Sequence, residues 1–159
     1  MVVRKKVGAG LLIIGTVAAL VLLDQLTKAL IRHAVPQSHV ISVVSILKIT
    51  NTSNTGSAFG LLKGTQPMLI ALSVILIALI LFFYRKLVHP LQKAAALLIL
   101  SGVIGNTVDR LAANAVTDFI LLPHWAAFNL ADMLMSTGAA LIIASLVLPD
   151  GWKRTKKLP

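Results

Sequence analysis

Four long apolar runs dominate this chain, each close to the ~20 residues that a helix needs to cross ~30 Å of hydrocarbon. They cover about residues 7–31, 67–84, 94–110 and 126–148. Hydrophobic residues make up 57% of the 159 and charged residues only 13%, against about 25% in a typical soluble domain. That much apolar surface has to be covered by lipid. We therefore expect an all-α membrane protein with a small β part, built as one integral membrane domain over residues 1–159. The opening "MVVRKKVGAGLLIIGTVAALVLL" has the basic start of a signal peptide. Its apolar run is longer than an h-region, and "DQLTKALIR" follows with no small-x-small pattern, so it reads as an uncleaved anchor.

The net charge of +10 sits mostly in short clusters beside the apolar runs rather than in one patch, so a nucleic-acid partner is not expected. Arg4, Lys5, Lys6, Arg85, Lys86, Lys93, Lys153, Arg154, Lys156 and Lys157 fall on one side and supply ten of the fifteen Lys and Arg. The positive-inside rule then puts both termini in the cytoplasm. Two segments face outward. One, about 32–66, contains "HVISVVSILKITNTSNTGSAFG", strand-like in its first half and turn-like in its second, which predicts a small extracytoplasmic β element on the membrane. The other, about 111–125, is short.

Acidic residues are few. There is no glutamate, and of five aspartates only Asp150 lies in an ordinary polar tail. Asp24 precedes Arg32 by eight residues, ~12 Å along a helix, inside the outer half of the membrane. Asp132 falls about six residues into the fourth run, ~9 Å below its outer end. Asn106, Asp109 and Arg110 close the third run on that side, and Asp118 lies in the outer loop. Gly102, Asn106 and Asp109 share a helix face at i, i+4 and i+7, with Gly105 beside them for close helix approach; Asn129, Asp132 and Ser136 share another. These faces must turn inward, because a lipid-facing ionised Asp costs ~3 kcal/mol.

Several of these residues have plain structural accounts. Asp24 and Lys28, at i,i+4 with the acid first, suit an ion pair. Asp109 and Arg110 suit an interfacial anchor with a snorkelling cation. Asn54 and Gly56 suit a turn. Asp118 and Asp132 are different, since neither has a cation nearby in sequence. If they converge, both cannot stay ionised, and a shared proton leaves one as base and the other as acid, able to activate water against a peptide carbonyl. The chain has no cysteine, and its four histidines show no metal-ligand spacing, so neither a metal nor an organic cofactor is expected.

"DQLTK" (24–28), "NTGSAFG" (54–60), "GVIGNTVDRL" (102–111), "VTDFI" (116–120) and "AFNLAD" (127–132), in this order, closely resemble the lipoprotein signal peptidase family, signal peptidase II. The resemblance covers nearly the whole chain. It implies an aspartyl endopeptidase of the bacterial cytoplasmic membrane that removes the signal peptide of a prolipoprotein just before its diacylglyceryl-modified cysteine. It also implies catalytic roles for Asp118 and Asp132, and substrate-binding or supporting roles for Asn54, Gly56, Asn106, Arg110 and Asn129. Asp24, Lys28 and Asp109 become structural polar residues. The implied fold is four transmembrane helices with an extracytoplasmic β-cradle; the implied partners are a lipid-modified prolipoprotein, membrane lipids and the cyclic-peptide inhibitor globomycin.

Ser101, where a glycine is usual, Thr117, where Val is common, and Met133, where a small residue often follows, depart from the family pattern and bear on substrate preference. Two other functions fit parts of the sequence. A proton-coupled transporter would need polar groups through the full membrane depth, whereas the second run holds only Ser73 before Tyr84. A silent relative that only binds lipidated peptides would have no need for both aspartates.

Overall fold

A computed structural model describes residues 2–56 and 65–147. The motif positions Ser57 to Gly60, the tail with Asp150 and its four cations, and the side chains of Arg4, Lys5 and Lys6 lie outside the described residues. The chain runs α1 (Val2–Ala34), β1 (Val40–Val44), β2 (Leu47–Asn54), α2 (Gln66–Tyr84), α3 (Pro90–Ala113), β3 (Val116–Leu121) and α4 (Leu130–Val147). All four helices hold an apolar window long enough to cross a membrane. Leucine and isoleucine side chains along α1 and α2 stay exposed, Leu12 at 74% and Leu81 at 57%, as they must if lipid covers them.

The bundle is built around α3, which packs against each of the other three helices. Its walls are close because glycine lines the seams. A Cβ on Gly102 would run into the Ala131 carbonyl oxygen and stand 2.6 Å from Met135 Cγ; one on Gly138 would stand 2.6 Å from Ile99 Cγ1 and 2.7 Å from the Ala95 carbonyl. Without a hydrophobic drive between helices in lipid, such close contact supplies much of the association energy. Gly138→Ala should therefore destabilise the protein by about 1–3 kcal/mol, seen as a lower unfolding temperature in detergent. An unchanged midpoint would mean the α3–α4 seam is looser than described.

Helix boundaries follow local chemistry. α3 opens on Pro90, with the His89 ring nitrogen accepting the Leu91 N–H at 3.2 Å. It closes on Asn114 at φ 53°, whose N–H returns to the Arg110 carbonyl. Both ends reach beyond the expected 94–110. α4, by contrast, starts at Leu130 and not near 126, because Asn129 forms its N-cap. Asp132 accordingly sits in the first turn, at the helix mouth and not six residues below it.

The β part is a three-stranded antiparallel sheet in the order β1-β2-β3. β1 and β2 lie within the expected 32–66 segment. β3 is a correction: the segment expected as an outer loop pairs with β2, Thr52 opposite Asp118, Ser53 opposite Thr117 and Asn54 opposite Val116. Asp118 is thus a strand residue with a fixed direction.

Candidate active site

Strand alternation decides what β3 offers to the bundle. Asp118 and Val116 project to one face and Thr117 to the other. Asp118 is 2% exposed, and both of its oxygens are held. Asn54 Nδ2 donates to Oδ2 at 2.9 Å, and Asn129 Nδ2 donates to Oδ1 at 2.6 Å. Gly56 acts through Asn54. Its backbone N–H donates to Asn54 Oδ1 at 2.9 Å, a local turn that leaves the amide nitrogen facing Asp118.

Asp132 is fixed from α4 itself. Asn129 Oδ1 accepts the Asp132 N–H at 3.0 Å, while Asp132 Oδ2 accepts the Asn129 N–H at 3.2 Å. This is a reciprocal capping box, with Asp in the place Glu or Gln usually takes. Asn106 Nδ2 from α3 donates to the remaining oxygen at 2.9 Å. Asn129 therefore touches both carboxylates, joining strand to helix. Asp118 and Asp132 open together onto a cavity of about 720 Å³ whose apolar wall includes Leu122, Trp125, Phe128 and Met133. Met133 is 45% exposed there, so its departure from the family pattern faces the cavity and not the core.

Behind this pair lies a charged cluster. Lys28, fully buried, directs its ammonium to Asp24 Oδ2 at 2.8 Å, Asp109 Oδ2 at 3.1 Å and Asn106 Oδ1 at 2.9 Å. Three donors meet three acceptors, and the third orients the Asn106 amide toward Asp132. Asp24 reaches further, accepting the Ala131 N–H at 2.9 Å. A carboxylate from α1 thus satisfies an orphan donor at the positive end of α4. Gly105 makes room for it, since a Cβ there would stand 2.6 Å from Asp24 Oδ2. Asp109 is no simple interfacial anchor: besides Lys28 it accepts the Thr117 N–H at 3.3 Å. Arg110 leaves Nε buried without a hydrogen-bond partner among the described residues, beside Asp132 and Ser73 in a smaller cavity of about 270 Å³.

The structure thus brings the expected residues into one constellation. Sequence reading missed the Asp24–Ala131 contact, the second and third partners of Lys28, Asp109 and Asn106, and Met135, which lines both cavities beside Asp132. A six-residue β-rich run, "VTDFIL", was the available signal for β3.

Burial, above all, pushes the Asp118 carboxyl up from 3.8 to about 6, with the nearby Asp132 charge adding to it and the Asn54 and Asn129 hydrogen bonds opposing it. Between about pH 4 and 6 the folded chain then holds a proton that the unfolded chain has released. This contribution to stability is fully present below the unfolded value and lost as pH rises through about 6. Unfolding midpoints across that range should show the decline in wild type, and Asp118→Asn should flatten it. An equal slope in the variant would assign the titration elsewhere.

The model of the peptidase A8 family, signal peptidase (SPase) II, matches residues 16–148. The chain belongs to the signal peptidase II family. A lipoprotein signal peptidase of Moorella thermoacetica is 37% identical over 132 residues, covering 81% of this chain and 88% of its own. Another, from Caldicellulosiruptor bescii, is 38% identical over 129 residues, covering 81% and 85%. A bacterial membrane enzyme solved by the in meso method is similar across 92% of this chain and 94% of its own, with 27% identity and a TM-score of 0.82. The signal peptidase is thus a multi-pass membrane aspartic peptidase, with four helices and a small sheet as its fold.

Proposed function

We propose that this signal peptidase cleaves diacylglyceryl-modified prolipoproteins immediately before the lipidated cysteine, with Asp118 and Asp132 as its catalytic pair. The observation that carries this reading is their shared opening onto one apolar-walled cavity, held by amides and not by cations. One carboxylate takes a proton from water as its oxygen attacks the scissile carbonyl carbon. The other carboxyl gives its proton to the carbonyl oxygen, forming a tetrahedral diol. As that species collapses, the C–N bond breaks, the cysteine nitrogen takes up a proton, and the signal peptide leaves with a free carboxylate. The pair titrates as a unit, so the two roles belong to the pair.

The signal helix packs among the spans beside Asp132, where Arg110 and the amides of Asn54, Asn106 and Asn129 orient its backbone, while the diacylglyceryl chains stay in the bilayer. The site faces the outer leaflet of the bacterial cytoplasmic membrane, and both termini are cytoplasmic. Among the described residues every carboxylate lies at the sheet end of the bundle, which argues against a proton path through the membrane.

Purified protein incubated with a diacylglyceryl-modified prolipoprotein should release a product whose first residue is the lipidated cysteine, identified by mass spectrometry. Globomycin should block that release by competing for the same cavity. Intact substrate, or a product cut elsewhere, would defeat the reading. A reporter fused after Lys157 should appear cytoplasmic, and a periplasmic signal would reverse the orientation.

A further inference from the structure

The sheet has a second face, and it too closes a cavity. Ser53 and Thr117, paired across β2 and β3, project away from Asp118. With Asn51, Gln37 and Arg32 they line a space of about 530 Å³ behind the catalytic strand, between the outer ends of α1 and α3. Ala112 and Ala115 form part of its wall, where larger side chains would fill it.

Its chemistry is that of an interface and not of a core. Arg32 lies two residues before the end of α1, where the span meets the membrane surface. Its guanidinium is held by a 2.9 Å hydrogen bond to Thr117 Oγ1, yet the side chain remains 46% exposed. Among the described residues its one carboxylate neighbour is Asp109, which also lines the cavity but is 3.7 Å away, beyond hydrogen-bond reach, and 4% exposed with its other oxygen already on Lys28. A planar guanidinium with free N–H groups suits two-point contact with phosphate oxygens. Asn51 spends its amide nitrogen on the Val35 carbonyl, leaving Oδ1 to accept, and the Ser53 and Gln37 side chains add polar groups at the cavity wall. At this depth the abundant anion is the phosphodiester of a phospholipid.

We propose that this rear cavity binds the headgroup of one outer-leaflet phospholipid, its phosphodiester on Arg32 and its hydroxyls toward Ser53, Asn51 and Gln37. The occupant is distinct from the substrate, because the sheet separates it from Asp118. It braces β3 from behind through the Arg32–Thr117 contact.

The test uses full-length protein in maltoside micelles, titrated with dihexanoylphosphatidylglycerol and followed by native mass spectrometry. One equivalent should bind, and Arg32→Gln should weaken it by at least about tenfold, the loss expected for one charge-assisted hydrogen bond. Ser53→Phe, an exposed strand position that keeps the cation but fills the space, should weaken it comparably and decides the matter if Arg32→Gln fails to fold. Dihexanoylglycerol, which lacks phosphate, should not show this dependence. Equal binding in wild type and both variants overturns the proposal, and so does displacement by equimolar inorganic phosphate, which would make this a site for free anions.

Discussion

Asp118→Asn and Asp132→Asn should each lower prolipoprotein cleavage by about 10²–10⁴-fold per folded molecule, the range of a positioned general acid or base. The substitution is nearly isosteric but not neutral. Both Asp118 oxygens accept hydrogen bonds from amide donors, and both Asp132 oxygens are likewise engaged. An asparagine must turn its own NH₂ toward one of those donors, costing about 1–3 kcal/mol for the hydrogen bond left unmade. Turnover should therefore be normalised to folded protein, measured by size-exclusion chromatography. Because the proposed mechanism uses the two carboxyls as one unit, the double variant should be little slower than the slower single variant. Retention of wild-type turnover by either single variant would remove that residue from the chemistry.

The second large effect is expected at Lys28, through folding. Lys28→Met keeps the volume and removes the charge, stranding Asp24 and Asp109 in the bundle interior with 0% and 4% exposure. Breaking a buried ion pair from one side costs about 3–5 kcal/mol, a large share of a typical stability. Folded yield in detergent should collapse, and any folded fraction should melt far below wild type. Arg should rescue poorly, because a planar fork cannot direct single donors to Asp24, Asp109 and Asn106 as a tetrahedral ammonium does. Asp24→Asn should follow the same pattern more mildly, reducing folded yield more than turnover per folded molecule. If Lys28→Met melts with wild type, the cluster is not what holds α1 to α3.

The spans were readable because run length against bilayer thickness is a strong constraint that needs no knowledge of partners. Their ends were less so. "AAF" before Asn129 is as apolar as the helix after it, so hydropathy alone extends α4 backward; the capping pattern from Asn129 to Asp132 marks the true start. β3 escaped because six apolar-rich residues between two spans look like any connection, while its partner β2 lies some sixty residues earlier. The Asp24–Lys28 pair was visible as i,i+4 on one helix. Asp24 against Ala131, 107 residues away, leaves no mark in local spacing. Asp118 and Asp132 stood out by lacking cations nearby in sequence, and the amides that replace those cations come from three separate places, β2, α3 and the residue before α4.

The first turn of α4 is tied on several sides, by Asp24 at Ala131, by Asn106 at Asp132, and by Asn129 to Asp118. Further along, Gly138 stands against Ala95 and Ile99, and buried Ser145 accepts a hydrogen bond from the Gln92 amide at 3.3 Å, while Leu146 and Val147 face outward. A helix fastened to its neighbour along its length cannot tilt alone in a thinner or thicker bilayer, so α3 and α4 must tip together. Asn106 and Asp132, one on each helix, then travel as a unit and keep their hydrogen bond. The peptidase should then tolerate membranes of varied thickness with little change in how its two acids meet the peptide.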